Sequence, residues 1–167
     1  MPSQTTGYLE VNAGMRNVKV NVAGTSTTVI NANLDLTSNT SYTVYAVDSV
    51  SKISTVVLAD NLTMPATGKA QVRFVHLSPN APAVNITLTD GTIVFGNKAF
   101  KQATDFTPLD AGTYNLQVRD AATNAAVVLS LNGVVLQSGK IYTVFAKGFL
   151  GGTGAQALGA EIIVNKN

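Results

Sequence analysis

Apolar and polar residues alternate with a period of two along several stretches of this chain, and nowhere do they hold a helical period over three turns. Tyr114, Leu116 and Val118 alternate with Asn115, Gln117 and Arg119, and Val18, Val20 and Val22 alternate with Lys19 and Asn21. Such stretches read as strands with one buried and one wet face. Tyr142-Thr143-Val144-Phe145-Ala146 is apolar on both sides, the pattern of a central strand covered on each face. Asp90-Gly91 and Asn132-Gly133 each sit between alternating runs. Both dipeptides accept positive φ, so each predicts a two-residue hairpin turn.

The alternation occurs twice. Ala13-Gly14-Met15-Arg16-Asn17-Val18-Lys19-Val20 is echoed by Ala111-Gly112-Thr113-Tyr114-Asn115-Leu116-Gln117-Val118, and Ser41-Tyr42-Thr43-Val44-Tyr45-Ala46 by Ile141-Tyr142-Thr143-Val144-Phe145-Ala146. Residues from about Gly7 to Asp60 therefore match the second half of a unit whose complete copy runs from about Lys69 to the end. The first copy has no counterpart of Ala70-Gln71-Val72-Arg73-Phe74-Val75-His76-Leu77 and the hairpin that follows. Met64-Pro65-Ala66-Thr67-Gly68 is a short Pro- and Gly-containing junction, which places the domains at 1–67 (incomplete) and 68–167 (complete). A first copy without its opening strands presents an open sheet edge, which predicts strand exchange or a homo-oligomer through that edge.

Leu136-Gln137-Ser138-Gly139-Lys140-Ile141-Tyr142 has the Leu-x-x-Gly-x-x-Tyr spacing of a tyrosine corner, in which a phenol at a strand start bonds the backbone a few residues upstream. The first copy offers Leu36-Thr37-Ser38-Asn39-Thr40-Ser41-Tyr42, with Asn39 at the place of Gly139; Asn is among the few residues that tolerate the left-handed region. Short strands, frequent turns and corner tyrosines, Tyr42 and Tyr142, predict an all-β fold of tandem antiparallel β-sandwich modules, immunoglobulin-like or transthyretin-like.

Composition narrows the function classes. With no cysteine, disulfide frameworks, thiolate zinc sites and thiol nucleophiles drop out. Charged residues make up only 12% of the chain, so its wet surface is built mainly from hydroxyls and amides, as is common in exported bacterial surface proteins. The eleven basic and nine acidic residues are spread without a run that would neutralise several phosphates, which argues against nucleic acid. No apolar stretch approaches the roughly 20 residues of a membrane helix. Met1-Pro2-Ser3-Gln4-Thr5-Thr6 has neither the basic start nor the apolar middle of a secretion signal, so an exported location presumes that the signal has been removed.

The complete copy carries Val72-Arg73-Phe74-Val75-His76-Leu77-Ser78-Pro79-Asn80-Ala81-Pro82-Ala83-Val84, then Leu109-Asp110-Ala111-Gly112-Thr113-Tyr114 and Gly139-Lys140-Ile141-Tyr142-Thr143-Val144. These stretches resemble the DUF4397 family of exported bacterial domains, whose hallmark is an R-F-x-H-x-S-P-x-A-P-x-V-D run. The resemblance covers nearly all of 70–167 and is recognisable again in 7–60. It implies a tandem β-sandwich on the cell surface, often on a lipoprotein, without a settled activity. Asn80 and Asn85 stand where the family usually has Asp, which weakens a carboxylate cation site there.

Candidate chemistry is sparse. His76 is the single histidine, and Ser78 lies too near it on the same strand to be its catalytic partner; both are expected to bond backbone where Pro79 and Pro82 supply no donor. Gly152-Thr153-Gly154-Ala155-Gln156-Ala157 spells a dinucleotide fingerprint but is followed by a strand, not by the helix whose amino end would hold the phosphates, so it reads as a long flexible hairpin loop. The acidic residues show no calcium-loop spacing, and Asp110 before Gly112 reads as a turn cap. Arg16, Lys19, Arg73 and Arg119 would form a basic patch only if their strands were neighbours. The chain is therefore expected to be a non-enzymatic surface or secreted module for adhesion, ligand binding or spacing, with no cofactor and no metal. Its contacts are expected from two loops, Ser78-Pro79-Asn80 and Phe149-Leu150-Gly151-Gly152, toward an unknown protein or glycan. A carbohydrate-binding accessory domain, stacking sugars on Tyr8, Phe106 or Phe149, is the alternative, and a hydrolase built on His76 the third reading.

Overall fold

The period-two stretches fold as strands. A computed structural model describes residues 7–166; Met1–Thr6, read above for a secretion signal, and Asn167 lie outside the described residues. Twelve strands follow one another: β1 (Gly14–Asn21), β2 (Thr28–Leu36), β3 (Ser41–Val47), β4 (Ser54–Asp60), β5 (Lys69–His76), β6 (Val84–Leu88), β7 (Ile93–Lys98), β8 (Thr107–Asp110), β9 (Gly112–Asp120), β10 (Val127–Leu136), β11 (Ile141–Lys147) and β12 (Gly159–Lys166). Only two 3-10 turns, Val50–Lys52 and Gly154–Gln156, interrupt them among the described residues.

The chain falls into two compact units, residues 7–61 and 62–166. The stretch 64–68 thus lies with the second unit, where Gly68 N donates to Ser138 Oγ (2.9 Å) and Lys166 Nζ to the Leu62 carbonyl (3.3 Å).

The second unit is a complete sandwich of two four-stranded sheets, ordered β10-β9-β6-β7 and β12-β11-β5-β8. Its first strand, β5, lies parallel to β11 and antiparallel to β8, and does not pair with β6. In an immunoglobulin sandwich the first strand shares a sheet with the second, so of the two topologies left open by the sequence this is the transthyretin-like one. The core lies between the sheets: Val72 and Phe74 of β5, with Tyr142, Val144 and Ala146 of β11, face Ile86 of β6 and Leu116 and Val118 of β9. Residues 141–146 are all buried because β11 has a neighbour on each side and cover on each face. Pro108, which has no N–H to offer, sits on the edge strand β8.

The first unit is half of this. β1 pairs only with β2, and β3 only with β4, as two separate two-stranded ladders. They correspond to β9–β10 and β11–β12; the counterparts of β5–β8 are missing among the described residues, as the repeat predicts.

The corners recur in both units. Tyr42 Oη accepts from Thr37 N (3.2 Å) and Tyr142 Oη from Gln137 N (3.1 Å). Asn39 at φ 57° and Gly139 at φ 84° take the left-handed position that each corner requires. Tyr114 Oη donates to the Asp110 carbonyl (2.9 Å), and Arg16, at the matching place in the first copy, donates from Nε to the Asn12 carbonyl (2.8 Å). Asp110 thus contributes its carbonyl to this corner, while its carboxylate pairs with Lys69 (2.7 Å). Gly112, opposite Leu136, opens β9.

Both hairpin expectations need correction. Asp90-Gly91 does lie in the β6–β7 hairpin, but only Gly91 has positive φ; Leu88 N bonds the Thr92 carbonyl across a three-residue loop, and Asp90 Oδ1 caps Thr92 N (2.9 Å). Asn132-Gly133 is not a turn. It is a bulge inside β10, where the register against β9 slips between Leu131 and Val134 and Gly133 N, at φ 69°, is taken up by Asn115 Oδ1 (2.9 Å). The chain reverses earlier, at residues 121–126.

Candidate functional site

One end of the second unit gathers the loops singled out in the sequence. β5 ends at His76 and the chain turns through Ser78-Pro79-Asn80-Ala81-Pro82 into β6, while β11 leaves for the long loop that begins at Gly148. A primary amide ties the two together: Asn80 Nδ2 donates to the Leu150 carbonyl (2.9 Å) and Asn80 Oδ1 accepts from Leu150 N (2.8 Å). An Asp at this position would retain the acceptance and lose the donation, so the departure from the family pattern at Asn80 makes this two-sided clasp. Asn85, the second departure, does the same kind of work on β6, accepting from Asn97 N (2.8 Å) and donating to Asn124 Oδ1 (3.0 Å).

The β11–β12 loop is crossed by backbone hydrogen bonds. Phe149 N donates to the Gln156 carbonyl (2.8 Å) and Gly152 N to the Phe149 carbonyl (2.9 Å). Backbone packs so closely that a Cβ on Gly148 would lie 2.1 Å from the Ala157 oxygen and one on Gly152 2.4 Å from the Gln156 oxygen. Glycine is required at both places by close approach, whereas Gly151 faces open space. A 3-10 turn, not a helix, follows Gly152-Thr153, so no helix amino end stands ready for a phosphate. Leu150 is left 46% exposed at the apex and Phe149 half-buried beside it.

His76 supports the apex from below. Its ring is fully buried, with Nε2 donating to the Pro82 carbonyl (3.0 Å) and Nδ1 accepting from Ser78 N (3.3 Å). Both nitrogens are thus engaged by the turn backbone, and the Ser78 hydroxyl, also buried, has no bond to the imidazole. In this arrangement His76 holds the turn and is not placed to take a proton from Ser78. Burial holds the imidazole below its ordinary value of 6.5, against the opposing bond to Pro82. The unfolded chain therefore binds a proton more readily than the folded one, and stability is lost as pH falls below about 6.5 toward the depressed folded value. Denaturant titration across that window is expected to show a slope of up to about 1.4 kcal/mol per pH unit for the one proton, and His76→Gln is expected to flatten it.

The other candidates are dispersed. Arg73 on β5 is 2% exposed, donates from Nε to Thr143 Oγ1 (2.8 Å) and lies 4.5 Å over the ring of Phe106. Arg119 belongs to the opposite sheet and bonds Gln117 and the Asn124 carbonyl, so these two arginines form no common patch; Arg16 and Lys19 lie on β1 in the first unit. Tyr8 bonds Asp60 in the first unit, and in the second one face of the Phe106 ring is covered by Arg73. Among the described residues no three His, Asp or Glu side chains converge, and no helix is long and apolar enough to cross a membrane, which says nothing of strands. The clasp of Asn80 and the tight glycine Gly148 carried no local signal in the sequence, because each depends on a segment about 70 or 10 residues away.

The family model for a domain of unknown function, DUF4397, matches residues 1–87 and 86–166. The chain belongs to the DUF4397 family. The two matched segments meet within β6, so the family's sequence unit does not coincide with the compact units of the fold. No curated protein matches the chain. Among solved structures it is similar to the C-terminal domain of AlgF from P. aeruginosa, with 20% identity, a TM-score of 0.44, and coverage of 58% of this chain and 98% of that one.

Proposed function

We propose that this DUF4397 protein is a non-catalytic, exported surface module that binds its ligand through the apex of the second unit, with the sandwich as scaffold. The observation that carries the reading is the Asn80 clasp, which joins the β5–β6 turn and the β11–β12 loop into one preorganised surface with Leu150 exposed at its tip. A rigid loop pair loses little entropy on binding, which suits recognition. The low charge content and the family membership support an exported location.

Amide shift mapping with a panel of soluble polysaccharides and short peptides tests the reading. Binding is expected to perturb residues 78–82 and 149–156 together. Asn80→Ala is expected to cost about 1 kcal/mol of stability, to leave the sheets intact, and to weaken that binding about tenfold or more. Perturbation confined to the sheet faces, or no response to any panel member, would overturn it.

A further inference from the structure

The two loops of the apex carry no ionisable side chain: residues 77–83 and 148–158 contain no Asp, Glu, His, Lys, Arg or Tyr. The titratable group bonded to them is His76, fully buried at the end of β5. Its Nε2–H donates to the Pro82 carbonyl (3.0 Å) while its Nδ1 accepts from Ser78 N (3.3 Å). That pair of bonds exists only for the neutral ring. An imidazolium is a donor at both nitrogens, so a proton on Nδ1 would face the Ser78 N–H donor to donor. Ser78 must then turn, and Pro79 beside it, with φ fixed by its ring, passes the movement on to Asn80 and its clasp on Leu150.

A second observation points the same way. Ser78 Oγ is buried and has no hydrogen-bond partner among the described residues, a costly state for a hydroxyl. It belongs to the residue whose N–H serves the neutral ring. Rotation at Ser78 exchanges the bond from Ser78 N–H to Nδ1 for one from Nδ1–H to Oγ, so the protonated ring has an acceptor in reserve.

The charged groups on the other elements around His76 lie elsewhere. On β11, Ala146 stands opposite His76, and the next residue, Lys147, pairs with Glu161 of β12. The 99–104 segment meets His76 through backbone, at Lys101 N and the Gln102 carbonyl; Lys101 Nζ lies 5.2 Å over the Phe100 ring, and Asp105 beyond it is exposed. β6 carries no ionisable residue. Burial holds the imidazole below its ordinary value, opposed by backbone bonds and by no neighbouring charge.

We propose that His76 and Ser78 form a proton-operated latch, in which proton uptake moves the imidazole bond from the Ser78 amide to the Ser78 hydroxyl and opens the Asn80 clasp while the sheets stay paired. The closed turn takes the neutral ring, so it is held above pH 6.5 and lost as pH falls below it. For one proton the opening constant rises up to about tenfold per pH unit. The latch is a property of the free chain; its consequence, release of a ligand in mild acid, rests on the apex reading.

The test is an NMR titration of the whole chain without ligand, from neutral pH to the onset of acid unfolding. The amides of Ser78, Asn80, Leu150 and Gly152 are expected to shift with one midpoint below 6.5, shared with the His76 ring, while those of Leu116 and Val118 stay in place. His76→Gln, which keeps one donor and one acceptor, is expected to hold the apex shifts flat. Ser78→Ala removes the reserve acceptor and is expected to lower the shared midpoint by at least about half a pH unit; it carries the test if His76→Gln does not fold. A ring that titrates while Asn80 and Leu150 stay still would overturn the latch. So would an unchanged midpoint in Ser78→Ala, or a chain that unfolds as a whole before the apex moves. A working latch with no binder in the polysaccharide and peptide panel would instead overturn the apex reading alone.

Discussion

Phe74→Ala is expected to lower the stability of the second unit by about 3–5 kcal/mol. Phe74 is fully buried on β5, stands opposite Val144 in the parallel ladder, and meets the buried ring of His76 edge-on at 6.5 Å. Truncation removes most of a ring's burial and leaves a cavity between the two sheets, beneath a strand held by β11 on one side and β8 on the other, so the site has little freedom to collapse. The strand it weakens is the one that joins the start of the module to its penultimate strand, about 70 residues apart, and on which the parallel ladder depends. Urea unfolding followed through the β11 amides measures the loss. A cost below about 1 kcal/mol would mean that β5 is not a central strand.

Gly148→Ala is expected to cost on the order of 3 kcal/mol, or to force the β11–β12 loop off its present path. The reason is proximity and not only the left-handed backbone. Asp48 holds the matching place in the first unit at φ 80°, close to the 78° of Gly148, and carries a full side chain. What differs is the longer loop of the second unit, which folds back so that the new methyl would meet the Ala157 and Gln156 carbonyls. Gly151→Ala is the control: it shares the positive φ, at 79°, but opens to space, so it is expected to cost only about 1 kcal/mol of backbone strain. Equal losses in the two variants would show that conformation alone, and not the close approach, demands glycine at 148.

These costs locate what could be seen in the sequence. Strands and corners were legible because their causes are local: alternation places Leu116 and Val118 inward, and Asn39 and Gly139 are residues that accept the corner's positive φ. The half-module was legible because a repeat exposes its own omission. Asn132-Gly133 was misread because the same tolerance of positive φ serves a turn or a bulge, and only the partner strand β9, through Asn115, decides which. The transthyretin-like order was hidden because the β5–β11 pairing is non-local, and the Asn80–Leu150 clasp because its geometry exists only after the two loops have been brought to one end.

The same separation of local from non-local cause bears on the first unit. Its strands and corners form from nearby sequence, yet among the described residues no strands stand where β5 and β6 stand in the second. Buried area is what stabilises a small β-unit, and among the first unit's described apolar side chains the buried ones are Ile30, Val47 and Val56, against the larger cluster of the second.

Native-state hydrogen exchange of residues 41–46 against 141–146 tests this most directly. If one module is closed and the other open, all amides of 141–146 exchange slowly, while in 41–46 only those bonded to β4 are protected and the alternate ones exchange fast. Uniform protection along 41–46, equal to that of 141–146, would contradict the account.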